Sequence, residues 1–234
     1  MEIAAGVHSL GHKKGGRVHA FLLDSGNELT LVDTLFENDA RGVLEGIRAT
    51  GRRVSDLKRI LVTHAHRSHL GGLAALKRMS GASVFAHEWE ADIVGGHRLA
   101  QPVSLVPKQS LRLVPFQLGL ALGKPKHVPC QVDEKLEDGA RLGPVYVLHA
   151  PGHSPGHVAF HWPERGLVIA GDAVATWPSL GAGWKGFNLN EQQHLGTIRR
   201  LADLDPRIVG VGHGEPITRG AAGTLRRLTE KPYP

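Results

Sequence analysis

Cysteine is almost absent: Cys130 stands alone among 234 residues. A lone thiol excludes an internal disulfide, so the fold rests on its apolar core and suits a reducing, cytoplasmic setting. Aromatic residues are also scarce, at 5%. Basic residues leave a net charge of +6, yet they come in scattered pairs such as Lys13-Lys14, Arg52-Arg53 and Arg199-Arg200, with no aromatic side chains interleaved. The stacking platform along a basic groove that serves single-stranded nucleic acid is therefore missing, and the excess charge reads as a solvated surface. No run approaches the roughly twenty apolar residues of a membrane-spanning helix, and no secretory apolar segment opens the chain, so neither a helical span nor a leader is expected.

What the chain does have is histidine, 15 in all, and glycine, 30 in all. Three histidines, His64, His66 and His69, lie in Thr63-His64-Ala65-His66-Arg67-Ser68-His69. Ile60-Leu61-Val62 leads in as a buried strand end, and a helical pattern from Leu70 to Met79 leads out. Neutral imidazole is a common ligand for borderline metals. Alternate residues at a strand end point the same way, so His64 and His66 can grip one ion. His69, placed on the first helical turn, points elsewhere and can serve a second.

Further along, strands are expected at 18–25, 28–34, 57–64, 83–87, 145–149, 158–162, 167–170 and 208–211, alternating with helices at 38–50, 70–79, 88–95, 190–204 and 219–229. This alternation argues for a layered α/β fold in one domain, 1–234. Residues 99–130 break the rhythm with several prolines around an apolar stretch, Leu111 to Leu122. They read either as a cover over a site or as a packed connector, and Cys130 at their end reads as structural. Ligand-type residues recur where strands end: Asp33, His153 and His157 in Pro151-Gly152-His153-Ser154-Pro155-Gly156-His157, Asp172 in Gly171-Asp172, and His213 in Gly212-His213-Gly214.

The cluster His64-Ala65-His66-Arg67-Ser68-His69 resembles the His-x-His-x-Asp-His signature of the metallo-β-lactamase superfamily, with Ser68 at the place of the signature Asp. The later elements resemble that family in the same order. The resemblance implies a four-layer αββα sandwich, similar to a single-domain glyoxalase II-like or lactonase-like member, in which 99–130 is a lid over the site mouth. It implies a first metal site of His64, His66 and His153, and a second of His69, His213 and bridging Asp172, with Asp33 supporting them and His157 as a structural hydrogen-bonding residue. Zinc is the expected cofactor, one or two ions per chain, with manganese or iron as alternatives. The implied activity is attack of a metal-bound hydroxide on a small-molecule carbonyl ester, lactone or thioester. Asp172 and position 68 would be catalytic.

Serine is short, neutral and a poor zinc ligand beside carboxylate, so Ser68 weakens the second site; it also reads as a helix N-cap. Two other readings stay open. One is phosphodiester or phosphoester hydrolysis on the same fold. The other is a catalytically impaired metal-binding relative, natural or engineered.

Overall fold

The computed structural model describes residues 1–100, 111–123 and 126–230. Its first sheet has seven strands in chain order: β1 (Glu2–Ala4), β2 (Val7–Gly11), β3 (His19–Asp24), β4 (Leu29–Val32), β5 (Leu57–Leu61), β6 (Ser83–His87) and β7 (Glu134–Leu136). Pairing is antiparallel from β1 to β4 and parallel from β4 to β7. The second sheet has five strands: β8 (Arg141–Leu142), β9 (Val145–His149), β10 (Val158–Trp162), β11 (Leu167–Ala175) and β12 (Ile208–His213), in the spatial order β12-β11-β10-β9-β8. Only β11 and β12 run parallel there.

Side chains alternate across a strand, and here both faces are apolar. In β3, Phe21 and Leu23 face the second sheet, where they meet Val147, Phe160 and Ile169. Leu22 faces the other way, into a layer shared with Val43, Ile47, Leu73 and Leu76. Those four come from α2 (Arg41–Ala49) and α3 (Leu73–Ser80), after a single turn, α1 (Lys14–Arg17). In β11, Leu167 and Ile169 point inward. Val168 and Ala170 point out to Ile198, Leu201 and Leu225. Two more helices, α4 (Glu88–Val94) and α5 (Val114–Ala121), precede α6 (Glu191–Asp203) and α7 (Ala221–Glu230), which supply that outer layer. The three apolar layers separate four layers of structure, the expected αββα sandwich.

Local chemistry explains several boundaries. Asn190 caps α6, its Oδ1 accepting the Gln193 N–H at 3.0 Å, as short polar side chains do at helix starts. Gly81, at φ 70°, closes α3 by returning its N–H to Lys77, the left-handed stop that glycine makes cheaply.

Three expectations need correction. The helix after His69 does not begin at Leu70: the N–H groups of Gly71 and Gly72 bond the carbonyls of Leu35 and Thr34, so they are not spent on a helical turn. A Cβ at Gly71 would lie 2.3 Å from the Phe36 carbonyl carbon. Consequently α3 starts at Leu73, its N-cap is Gly72 with no side-chain cap, and Ser68 caps no helix. Third, Gly171-Asp172 is not a turn ending a strand. It lies inside β11, where the register against β12 shifts at Gly171, whose φ is 53°. Such a bulge re-aims the next side chain.

Of the expected cover at 99–130, positions 101–110 and 124–125 lie outside the described residues. Among the described residues, no helix is long and apolar enough to cross a membrane.

Candidate metal centre

The site forms where both sheets end. The loop after β5 carries His64, His66 and His69; the loop after β9 carries His153; the bulge in β11 carries Asp172; and the end of β12 carries His213. One donor atom from each of His64, His66, His153 and Asp172 lies within 4.8 Å of the others, and so do those of His69, Asp172 and His213. Asp172 belongs to both groups. Its Oδ2 lies 3.6 Å from His64 Nε2, 3.5 Å from His153 Nε2 and 3.2 Å from His213 Nε2; its Oδ1 lies 3.3 Å from His69 Nε2. Glycine makes room for it, since a Cβ at Gly212 would fall 1.9 Å from Asp172 Oδ1.

The remote nitrogens are tied to partners that set the tautomers. Gly16 O lies 3.0 Å from His213 Nδ1; a carbonyl only accepts, so Nδ1 carries the proton. The Asn188 amide donates to Ala182 O through Nδ2, leaving its Oδ1 to accept from His153 Nδ1 at 3.2 Å. Asp33 Oδ2 accepts from His69 Nδ1 at 2.9 Å and from the Thr63 hydroxyl at 2.7 Å. With its proton given to Asp33, Thr63 Oγ1 accepts from His64 Nδ1 at 3.0 Å. Four imidazoles thus turn Nε2 toward Asp172, held by the outward hydrogen bonding that orients metal-ligating histidines. His66 instead brings Nδ1 to 3.0 Å from His153 Nε2. His157 lies behind the site: its Nδ1 donates to Ala150 O and its Nε2 accepts the Asp172 N–H.

These residues fit a cation. Buried polar atoms normally find hydrogen-bond partners, yet His64 Nε2, His69 Nε2 and Asp172 Oδ1 have none. Burial pushes His66 down to about 4 and His153 to about 3, against the pull of Asp172; neutral imidazole is the form that binds metal. Burial would also lower His69, but Asp172 and Asp33 on either side raise it to about 10. Burial would raise Asp172, but His213, His69 and His64 hold it well below the ordinary carboxylate range.

A cavity of about 440 Å³ opens above this floor. His66, Ser68, Asp172 and His213 line it, with Phe36, Trp184 and Phe187 as walls and Pro115, Phe116, Gly119 and Leu120 of α5 along one side. Trp184 stacks on His213, with ring centroids 4.0 Å apart, and Phe116 packs on Trp184 at 5.6 Å. Ser68 is half-buried at the cavity wall.

Thr63, Asn188 and Gly16 are supports that the sequence does not single out, and a further one lies deeper. Glu90, on α4, is 2% exposed. Its Oε2 accepts the Ala65 N–H at 2.9 Å, between His64 and His66, and its Oε1 accepts the Ser154 hydroxyl at 2.6 Å, beside His153. Burial pushes its carboxyl up, and these donors partly offset that. Glu90 thereby ties together two histidine loops from different sheets. The available signal was an acid on the same helical stripe as Ile93 and Val94, where an apolar residue belongs. In Glu90→Ala both donors lose their acceptor inside the fold, at about 1–3 kcal/mol each. Metal affinity, measured by chelator competition, is expected to fall about 10- to 100-fold, as when other supporting partners are lost. Lower stability with undiminished metal affinity would make Glu90 a core residue only.

The profile of the metallo-beta-lactamase superfamily matches residues 14–213. A probable metallo-hydrolase of Bacillus subtilis, YqjP, is 28% identical over 250 residues, which cover 93% of this chain and 72% of that protein. A hydroxyacylglutathione hydrolase of Cereibacter sphaeroides is 33% identical over 148 residues, but these are 63% of this chain and only 44% of that enzyme. Among solved structures, TTHA1623 in a di-iron-bound form superposes with a TM-score of 0.67 at 28% identity, covering 96% of this chain and 99% of that one. The fold is thus one that binds metal ions, and the chain belongs to the metallo-beta-lactamase superfamily.

Proposed function

We propose that the protein is a single-domain, metal-dependent hydrolase of a small molecule, acting on a carbonyl ester, lactone or thioester. The observation that carries this reading is the convergence of five imidazoles on one buried carboxylate, with orphaned donor atoms at the floor of a cavity. His64, His66 and His153 would hold a first ion, zinc by donor type, and His69 and His213 a second, with Asp172 shared between them. An ion held there supplies Lewis acidity, polarising a carbonyl oxygen and acidifying water.

The chain's own residues supply the rest. Asp33, Thr63, Asn188 and Gly16 fix the imidazole orientations. His157 fixes the backbone of Asp172. Phe36, Trp184, Phe187 and α5 present apolar walls that exclude water and receive the substrate, as such sites usually do; α5 acts as the cover.

Two measurements test this. Elemental analysis after dialysis is expected to find about one ion per chain held tightly and a second held weakly, because position 68 offers no carboxylate. Two ions retained equally would overturn the weakening assigned to Ser68. A screen with zinc and manganese across esters, lactones, thioesters and phosphodiesters is expected to give turnover on the carbonyl compounds; turnover confined to phosphodiesters would replace the reaction class.

A further inference from the structure

We propose that the substrate is amphipathic: an ester or thioester whose apolar portion carries an anionic group, seated by Arg67 and Arg98. This rests on the hydrolase reading and narrows its substrate.

Arg67 is half-buried, and among the described residues its hydrogen-bond partners are neutral. Its Nη1 donates to Phe36 O at 2.6 Å, its Nη2 to Asn38 Oδ1 at 2.7 Å and its Nε to Lys126 O at 3.1 Å, with the guanidinium 4.5 Å from the Phe36 ring centroid. Arg98 lies over the Trp89 ring at 3.9 Å and donates to Trp89 O. Among the described residues, neither has a carboxylate within 4.0 Å. Of the other half-buried arginines, Arg52 pairs with Asp24 and Asp56 and Arg59 with Glu28; Arg165, over the Trp162 ring at 5.2 Å, also has no carboxylate partner among the described residues, but it does not line the cavity. A partly buried charge is costly unless paired, so two arginines held rigidly by neutral oxygens and ring faces are poised for an anion from outside. Both line the cavity, with Lys126, and among the described residues the only acid lining it is Asp172, already engaged by imidazoles. Much of the remaining wall is apolar, including Ile93, Phe116 and Leu120. One end of a fitting ligand is therefore a hydrocarbon, and the guanidinium fork recognises a carboxylate, sulfonate or phosphate attached to it.

The test uses matched pairs on the full-length, metal-loaded protein. The para-nitrophenyl half-ester of adipate and para-nitrophenyl hexanoate share a chain length and differ in the terminal carboxylate. Wild type is expected to favour the adipate half-ester in kcat/KM by about tenfold, which is ~1.4 kcal/mol, mostly through KM. Arg98→Gln and Arg67→Gln are expected to bring that ratio toward one, and Arg67→Lys to keep part of it. Quenching of tryptophan fluorescence, with Trp184 in the wall, gives a readout free of turnover: octanesulfonate, a poor metal ligand, should bind more tightly than octanol and lose that advantage in Arg98→Gln. Esters cleaved without preference for the anion would overturn the subsite and leave the hydrolase reading standing. Preferred sulfonate binding with no ester cleaved would do the reverse. Equal binding of sulfonate and alcohol overturns the proposal.

Discussion

Asp172→Asn is expected to strip the protein of bound metal and lower hydrolysis by about 10³-fold, or ~4 kcal/mol of barrier. The substitution is nearly isosteric, and the backbone N–H that His157 receives is untouched, so the fold should persist. What is lost is, among the described residues, the only negative charge within reach of four Nε2 atoms, at 3.2 to 3.6 Å. A cation held among those groups would lose its carboxylate ligand, and attraction between unit charges a few ångströms apart inside a protein is of the order of several kcal/mol. The side-chain amide also places a donor where a cation should sit. Metal content, circular dichroism and turnover on one ester, measured together, check this. Retained metal with lost turnover would move Asp172 from holding the ion to acting on the substrate. Retained turnover would place the chemistry elsewhere in the molecule.

Ser68→Asp is expected to raise second-ion affinity and turnover tenfold to a thousandfold, about 1.4 to 4 kcal/mol. Ser68 lines the cavity together with Asp172 and His213, so a carboxylate there adds an anionic oxygen beside the second donor group. Orientation of a nucleophile accounts for several kcal/mol in well-positioned reactions. Stability should move little, and the reason is not capping, since Gly72 occupies the N-cap of α3; position 68 is half-buried at a cavity wall, where a charge keeps some solvent. The comparison needs one substrate, saturating zinc and a matched pH series. A second ion without faster turnover would mean that the chain has adapted to single-ion chemistry. Neither gain would remove position 68 from the second site.

The layers and the candidate ligands were legible because their signals are local. Apolar runs such as Leu29–Val32 and Ile208–Val211 fit only buried strands, and each candidate ligand sits on the turn or bulge next to one. What could not be read was long-range. β1 and β2 pair through short segments, one of them irregular, and their periodicity is too brief to stand out. The late start of α3 depends on carbonyls of residues 34 and 35, which no window around Leu70 contains. Glu90 and Asn188 acquire their meaning only when folding brings them to Ala65, Ser154 and His153. Arg67, one of the unspecified positions of the His64–His69 stretch, takes its meaning from the neutral partners that folding gives it.

The contact between His213 Nδ1 and Gly16 O joins residues 197 positions apart. The donor set is therefore complete only once β12 has docked against the opening segment, a contact of very high sequence separation of the kind that slows folding. Ion capture during refolding is then a clock for the finished molecule. A chelator should leave the early folding phases alone and lower only the final stability. At equilibrium, each tenfold rise in free ion above its dissociation constant should add about 1.4 kcal/mol to the native state, making the melting temperature a gauge of the metal available to the protein.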